Sequence, residues 1–251
     1  MDDQVTIPLW IDLLAVFIAG LSGSLVAIRN RFDPAGVIAI TVVSALGGGL
    51  IRDVLIGRGP PAALQNPDYL YTATAAVGVV FVFRQIVGRV DGWFMPIDAA
   101  ALGLFTFVGM QKGLLFDLPL ITAMLLGVIT ATGGGLLRDL LSGEPPSLLR
   151  PGRLSLTAAL AGALVYAVLY LLGVPGYIDV WIVAAVVMAL RLASVYLGWT
   201  TPEAEEVTGR VTAVGGTILA APAKMAKAQP TRPAGTRRWL RRRSNDQPGK
   251  D

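Results

Sequence analysis

The sequence predicts an all-α membrane protein with seven transmembrane helices, arranged as two inverted three-helix repeats followed by a seventh helix. Its hydrophobic fraction of 54% and mean hydropathy of +0.62, with only 15% charged residues, lie outside the range of soluble globular chains. Seven apolar runs have the length that a transmembrane helix needs. One phrase of the sequence also occurs twice, which indicates an internal duplication.

The apolar runs divide the chain into a membrane domain, residues 1–199, and a basic tail, residues 200–251, that we expect to be largely disordered. The first run follows Met1-Asp2-Asp3 and no basic segment, so we interpret it as a retained helix and not as a signal peptide. Repeat one covers about residues 8–90, repeat two about 94–172, and the seventh helix about 178–198. The predicted spans are residues 8–28, 35–57, 68–87, 94–112, 119–142, 154–172 and 178–198.

The duplicated phrase reads ALGGGLIRDVL at residues 45–55 and ATGGGLLRDLL at residues 131–141, an offset of 86. The same offset relates further identities outside the phrase: Asp12 and Asp98, Gly23 and Gly109, Gly57 and Gly143, Pro60 and Pro146. Each repeat contains three predicted spans. Because three is an odd number, the second repeat enters the membrane from the opposite side, which makes the repeats inverted.

The two triple glycines, Gly47-Gly48-Gly49 and Gly133-Gly134-Gly135, interrupt the apolar runs of the second and fifth spans. Glycine weakens a helix, so the functional interpretation is a pair of hinged or broken helices that line one polar pathway. The alternative is close helix packing across small residues. On the hinge hypothesis, alanine at Gly48 and Gly134 straightens the helices and reduces flux while the fold is retained.

An adjacent arginine and aspartate follow each triple glycine, Arg52-Asp53 in one repeat and Arg138-Asp139 in the other. Neighbouring residues project about 100° apart on a helix, so we expect that neither arginine faces its own aspartate. Arg52 could instead pair with Asp139, and Arg138 with Asp53. Alternatively, the four charges lie near helix ends and satisfy frayed carbonyl groups.

Asp12 and Asp98 occupy equivalent places near the start of the first and fourth spans. These acids could attract cations to a pore mouth, or they could be stabilised by the positive end of a helix dipole. Several hydroxyl groups could line a pore, although such groups in membrane helices more often bond to their own backbone: Ser22, Ser24, Thr41, Ser44, Thr130 and Thr132.

The composition excludes several classes of chemistry and predicts an orientation. With no cysteine and no histidine, the chain has no thiolate, disulfide or imidazole, and we expect no enzyme, no metal or other cofactor and no nucleic-acid partner. Basic residues outside the membrane favour an external N-terminus and a cytoplasmic C-terminus. In the tail, the basic segment 237–243 could bind anionic lipid headgroups, or it could simply follow the positive-inside rule.

The membrane domain resembles the prokaryotic members of the trimeric intracellular cation (TRIC) channel family, which overlap with bacterial proteins described as glycine transporters. The resemblance covers about residues 8–198 and implies a homotrimer in the cell membrane of a prokaryote. Each protomer would contain an hourglass pore for K+ and Na+, lined by glycine-kinked second and fifth helices. The lipid-binding Lys-Glu-Val-x-Arg pattern of the animal members does not occur in this sequence. The residues that carry the resemblance are Leu21-Ser22-Gly23, Asp33-Pro34-Ala35-Gly36, both Gly-Gly-Gly-x-x-Arg-Asp phrases, Pro60, Pro146 and Arg191.

Three functions therefore remain open from the sequence: a cation channel, a carrier for glycine or a similar small zwitterion, and a structural membrane protein without flux. A carrier would bind the carboxylate of its substrate at the exposed N-terminus of a broken helix. The arginines beside the glycines suit a carboxylate, whereas the absence of an isolated acid within the spans argues against a proton-driven carrier.

Overall fold

The computed structural model of the chain describes residues 8–82, 94–149, 154–174 and 176–197. Within these residues all regular structure is helical, with eight α-helices and one short 3-10 helix at Ser147–Leu149. In chain order the α-helices are α1 (Leu9–Arg29), α2 (Pro34–Ile56), α3 (Ala62–Gln65), α4 (Asp68–Val82), α5 (Phe94–Leu115), α6 (Leu120–Leu141), α7 (Ser155–Leu171) and α8 (Gly176–Tyr196).

A helix lies at each of the seven predicted spans, which confirms the all-helical class. Five of them, α1, α2, α5, α6 and α8, are long and apolar enough to cross a membrane. The other two, α4 and α7, are apolar helices of 15 and 17 residues. The sequence does not predict α3, because four residues are too few to show a helical period. The end of the third span, residues 83–87, and the tail lie outside the described residues.

Helix α5 lies at the centre of the described helices and packs against α1, α6, α7 and α8. Its most apolar stretch is 72% buried, compared with 33% for α8. Phe107, Val108 and Met110 of α5 are fully buried. Large apolar side chains are exposed on the surrounding helices, among them Ile121 and Leu125 of α6, as expected for surfaces that face lipid or a neighbouring subunit.

The start of α2 explains the Asp33-Pro34-Ala35-Gly36 sequence. The Asp33 side chain accepts a hydrogen bond of 2.8 Å from the Gly36 amide and so caps the helix. Pro34 occupies the first turn, where its missing N–H costs nothing. A Cβ atom on Gly36 would lie 2.9 Å from the Asp33 carboxylate, so glycine leaves room for the cap.

Connections at equivalent places in the two repeats share the same backbone conformations. Arg31 and Asp117, 86 residues apart, both have φ of 58°, which side chains rarely adopt. Gly57 and Gly143, also 86 apart, follow α2 and α6 with φ of 67° and 72°. These matching backbone conformations support the internal duplication independently of the repeated phrase.

Equivalent small residues bring the helices of each repeat together. A Cβ atom on Gly23 would lie 2.5 Å from the Ser44 Cβ atom, where α1 meets α2. A Cβ atom on Gly109 would lie 2.6 Å from the Thr130 hydroxyl, where α5 meets α6. Gly23 and Gly109 are repeat equivalents, and so are Ser44 and Thr130. Both contacts require glycine, because any side chain would separate the helices.

The triple glycines form the contact at which α2 crosses α6. A Cβ atom on Gly134 would lie 2.5 Å from the Ser44 carbonyl oxygen, and one on Gly48 would overlap the Thr130 carbonyl oxygen. The third glycine of each set faces its own helix instead: on Gly49 a Cβ atom would lie 3.6 Å from Nη2 of Arg52, an ordinary contact distance. The middle glycines therefore set the distance between the two repeats.

Neither triple glycine interrupts its helix. Helix α2 runs without a break from Pro34 to Ile56, and α6 runs from Leu120 to Leu141. The expectation of broken helices is therefore wrong, because the helical backbone is retained where the glycines pack against the opposite helix. The close-packing interpretation describes this contact, and a hinge role for Gly47–Gly49 and Gly133–Gly135 stays a prediction.

We predict that Gly48→Ala and Gly134→Ala each destabilise the protein by about 1–3 kcal/mol or more, because each methyl group meets a backbone oxygen that cannot move aside. Gly49→Ala and Gly135→Ala are matched controls on the same two turns. They add helix propensity without a clash. Thermal unfolding in detergent checks the difference, and a Gly48→Ala protein as stable as Gly49→Ala would contradict the packing role.

Candidate functional site

The first charge cluster consists of Asp12, Arg52, Asp53 and Lys112, and it joins α1, α2 and α5. The Arg52 guanidinium donates from Nε to Asp53 Oδ1 at 2.8 Å, and its Nη2 lies 3.7 Å from Asp12 Oδ2. The Lys112 ammonium lies 2.9 Å from Asp53 Oδ1. The Tyr69 hydroxyl of α4 donates to Asp12 at 2.6 Å. Two acids and two bases therefore neutralise one another.

The second charge cluster consists of Asp98, Arg138, Asp139 and Arg191, and it joins α5, α6 and α8. Arg138 donates from Nε to Asp139 Oδ1 at 2.9 Å and from Nη1 to Asp98 Oδ1 at 2.7 Å. Arg191 donates to the other oxygen of Asp98. Ser22 of α1 also donates to Asp98, at 2.8 Å. This cluster again contains two acids and two bases.

Each arginine bonds to the aspartate that follows it, which corrects the expected geometry. The Arg138 side chain is long enough to fold back along α6, where its Nη2 would lie 3.5 Å from a Cβ atom on Gly135, an ordinary contact distance. The second oxygen of each aspartate accepts a backbone N–H from the following connection, Ala62 for Asp53 and Ser147 for Asp139. The charges thus tie the ends of α2 and α6 to the segments that follow them.

The pairs that the sequence allowed across the repeats, Arg52 with Asp139 and Arg138 with Asp53, do not form within the described residues. The arginines bond instead to acids of their own repeat, Arg52 to Asp12 and Arg138 to Asp98. Consequently Asp12 and Asp98 do not lie at an open mouth, as one interpretation of the sequence proposed. They are 5% and 8% exposed and serve as buried counter-ions. Buried charges need such partners because desolvation costs several kcal/mol for each ion.

Three of the cavities among the described residues adjoin one another, and we name each after one basic residue. The Arg138 cavity is lined by Asp98, Arg138 and Arg191, among others, and the Arg52 cavity by Asp12, Arg52 and Tyr69. Phe105 lines both of them. The Lys112 cavity lies beyond the Arg52 cavity and shares Asp53 and Ala62 with it. The three cavities therefore lie in series.

The Arg52 and Arg138 cavities are equivalent between the repeats. Of the eleven residues that line the Arg52 cavity, nine have their 86-residue equivalents in the lining of the Arg138 cavity. The equivalent pairs are Asp12 and Asp98, Val16 and Leu102, Ala45 and Ala131, Leu46 and Thr132, Gly49 and Gly135, Arg52 and Arg138, Ala62 and Leu148, Tyr69 and Ser155, and Phe105 and Ala19.

The two equivalent cavities differ in size and polarity. The Arg138 cavity offers a volume of about 30 Å³ to water, and the Arg52 cavity about 10 Å³. Since one water needs about 10–15 Å³, the first holds two or three waters and the second at most one. Ser155 and Thr132 replace Tyr69 and Leu46 in the larger cavity, which explains the difference. The Lys112 cavity has a larger volume, about 80 Å³.

Three residues that line the equivalent cavities each carry a buried polar atom without a protein partner. These atoms are Nη1 of Arg52, beside one cavity, and Nε of Arg191 and the Ser155 hydroxyl, beside the other. Such groups carry a desolvation cost unless water or a ligand bonds to them. The cavities are therefore places where a hydrogen-bond acceptor, such as a water oxygen, is favoured.

The hydroxyl groups singled out in the sequence have different partners. Thr41, Thr130 and Thr132 donate to carbonyl groups one turn earlier in their own helices, as the alternative interpretation expected. Ser44 and Thr132 also line the Arg138 cavity. Ser24 bonds to Thr41 and contributes to the contact between α1 and α2.

Sequence reasoning missed the roles of Lys112, Tyr69 and Phe105, and identified Arg191 only through the resemblance. Lys112 and Arg191 were detectable as bases within or beside apolar spans, where a charge needs a partner. Tyr69 and Phe105 carry no such signal, because aromatic residues are common in apolar helices.

The fold and the site together define an integral membrane protein of helices, whose two repeats enclose equivalent polar cavities. The chain belongs to the family described as glycine transporter, whose sequence profile matches it twice, at residues 9–85 and 95–171. The second match begins and ends 86 residues after the first, which confirms the internal duplication.

Curated relatives are membrane proteins without an enzyme name. The UPF0126 membrane protein of Deinococcus radiodurans is 37% identical over 155 residues, 61% of this chain and 72% of the relative. The UPF0126 inner membrane protein YadS of Escherichia coli K12 is 35% identical over 162 residues, 64% of this chain and 78% of the relative.

Solved structures of prokaryotic TRIC channels are also similar, which confirms the resemblance noted in the sequence. The TRIC trimeric intracellular cation channel orthologue from Rhodobacter sphaeroides superimposes with a TM-score of 0.71 and 33% identity. The similarity covers 76% of this chain and 98% of that chain.

We predict that Asp98→Asn costs more stability than Asp12→Asn, although the two residues are repeat equivalents. Loss of the Asp98 charge leaves two buried arginines with one acid, a disruption that costs about 3–5 kcal/mol in buried pairs. Loss of the Asp12 charge leaves Arg52 bonded to Asp53, and Lys112, whose side chain is 17% exposed, can take up water. Thermal unfolding in detergent measures both variants.

Asp68→Asn, at an exposed position at the start of α4, is the control for amide substitution. Equal losses of stability in Asp12→Asn and Asp98→Asn would show that the second cluster is no more tightly coupled than the first.

Proposed function

We propose that the chain is a homotrimeric channel for monovalent cations, K+ and Na+, with one pathway in each protomer. The observation that carries this proposal is the series of cavities between the two repeats. The Lys112, Arg52 and Arg138 cavities follow one another along α2 and α5, and both triple glycines contribute to their walls. The trimer is inferred from the similarity to a channel described as trimeric.

The proposed protomer has seven membrane crossings, with α1, α2 and α4 as one repeat, α5, α6 and α7 as an inverted second repeat, and α8 as the seventh helix. An odd number of crossings in each repeat supports the inversion. The equivalent cavities then approach each other from opposite sides of the membrane. We further propose an external N-terminus and a cytoplasmic C-terminus, with the basic tail, residues 200–251, beside anionic lipid.

The balance of charge in the two clusters is compatible with cation passage. An unpaired arginine beside the path would repel K+, but each cluster contains as many acids as bases, all within hydrogen-bond or ion-pair distance. The net charge of each cluster is therefore zero. Carbonyl and hydroxyl groups, such as those of Ser44 and Thr132, supply the oxygen atoms that a partly dehydrated cation needs.

A carrier for glycine or a similar small zwitterion is the second candidate, and one observation favours it. In the Arg138 cavity, Nε of Arg191 and the Ser155 hydroxyl are donors without protein partners, which suits a carboxylate. The carboxylate would not bind at a broken helix, since α2 and α6 are continuous through their glycines.

Purified protein in liposomes distinguishes the candidates when potassium flux and uptake of labelled glycine are measured in parallel. We expect potassium flux that rises in proportion to concentration, and no saturable uptake of glycine. Saturable glycine uptake without potassium flux would establish the carrier. Liposomes without protein control for leakage, and the absence of both activities would overturn both proposals.

A further inference from the structure

Phe105 lies where the two equivalent cavities adjoin. It lies midway along α5, is 3% exposed, and lines both the Arg52 and the Arg138 cavity. The lining of each cavity also contains an arginine and an aspartate. The benzyl side chain offers no hydrogen bond to water or to an ion. A hydrated path from one cavity to the other therefore meets an apolar barrier at this residue.

The duplication makes Phe105 stand out as an exception. Its repeat equivalent is Ala19, which lines the Arg138 cavity. At this place a methyl group in the first repeat is replaced by an aromatic ring in the second. Among the differences between the two linings, this one lies where the cavities adjoin, and the larger ring narrows the connection between them.

A core role accounts for Phe107 but not for Phe105. Phe107 is fully buried two residues further along α5, and its ring packs edge-on against Tyr166 of α7 at a centroid distance of 5.3 Å. Phe107 lines none of the three cavities. The same residue type on the same helix thus serves packing at one position and faces the cavities at the other.

We propose that Phe105 is the constriction of the pathway and sets the largest cation that passes. Constrictions formed by apolar side chains stop ions by excluding water, and they open when the side chain moves. The glycine contact beside these cavities holds the backbones of α2 and α6 together, and displacement of the Phe105 ring would join the cavities without opening that contact. This assignment rests on the proposed channel function.

Phe105→Ala tests the assignment in liposomes, because it recreates the alanine of the first repeat. We expect resting potassium flux to rise several-fold, and we expect tetramethylammonium to pass through the variant but not through the wild type. Phe105→Leu should give a smaller rise, and Phe105→Trp should reduce flux below that of the wild type. Phe107→Ala is the matched control, since it removes the same side chain from the same helix away from the cavities.

All variants are compared at equal amounts of monodisperse protein. If Phe105→Ala does not assemble, the opposite shifts expected for leucine and tryptophan carry the test. The assignment would be overturned, with the channel function intact, if these variants had the same flux as the wild type. It would also be overturned if Phe107→Ala raised the flux as much as Phe105→Ala. Absence of potassium flux from wild type and all variants would overturn the proposed function, and the constriction with it.

Discussion

The structure depends on the neutralisation of eight charged side chains among apolar helices, seven of them buried. Four acids and four bases are divided equally between two clusters, and each cluster draws its members from helices of different parts of the chain. Because an unpaired charge at membrane depth costs several kcal/mol, the helices are stable only in the arrangement that completes both clusters. The same requirement leaves polar cavities between the helices, since ion pairs with directed hydrogen bonds pack less densely than apolar side chains.

The glycines make this arrangement possible. The middle glycines, Gly48 and Gly134, let the backbones of α2 and α6 touch, and the third glycines, Gly49 and Gly135, lie beside the arginine side chains that follow them. The duplicated phrase is therefore a unit in which close packing and charge placement depend on one another. A hinge at the same place would have to open this contact, which links any movement of α2 to movement of α6.

The sequence alone predicted the helices, the duplication and the importance of the repeated phrase. The length of an apolar run and a constant offset between two copies can both be recognised without a structure. It was insufficient for the pairing of charges. An arginine side chain spans more than one turn, so the angle between neighbouring positions did not exclude contact between Arg138 and Asp139. The partners Lys112 and Tyr69 come from distant parts of the chain, and only the packing of α4 and α5 brings them to the first cluster. The position of Phe105 beside both cavities could likewise be recognised only from the structure.

The central claim is that the cavities between the repeats form the pathway, and the absence of cysteine from the sequence allows a direct measurement. Single cysteines at Ser44 and Thr132, which line the Arg138 cavity, can be compared with one at Leu125, which is exposed on the outer surface of α6. Silver ion, a thiol-reactive cation, is applied while potassium current is recorded. The account predicts rapid block of Ser44→Cys and Thr132→Cys, and no block of Leu125→Cys or of the wild type. The account would be contradicted if silver blocked Leu125→Cys but left the Ser44→Cys and Thr132→Cys proteins conducting and unmodified. The pathway would then lie elsewhere.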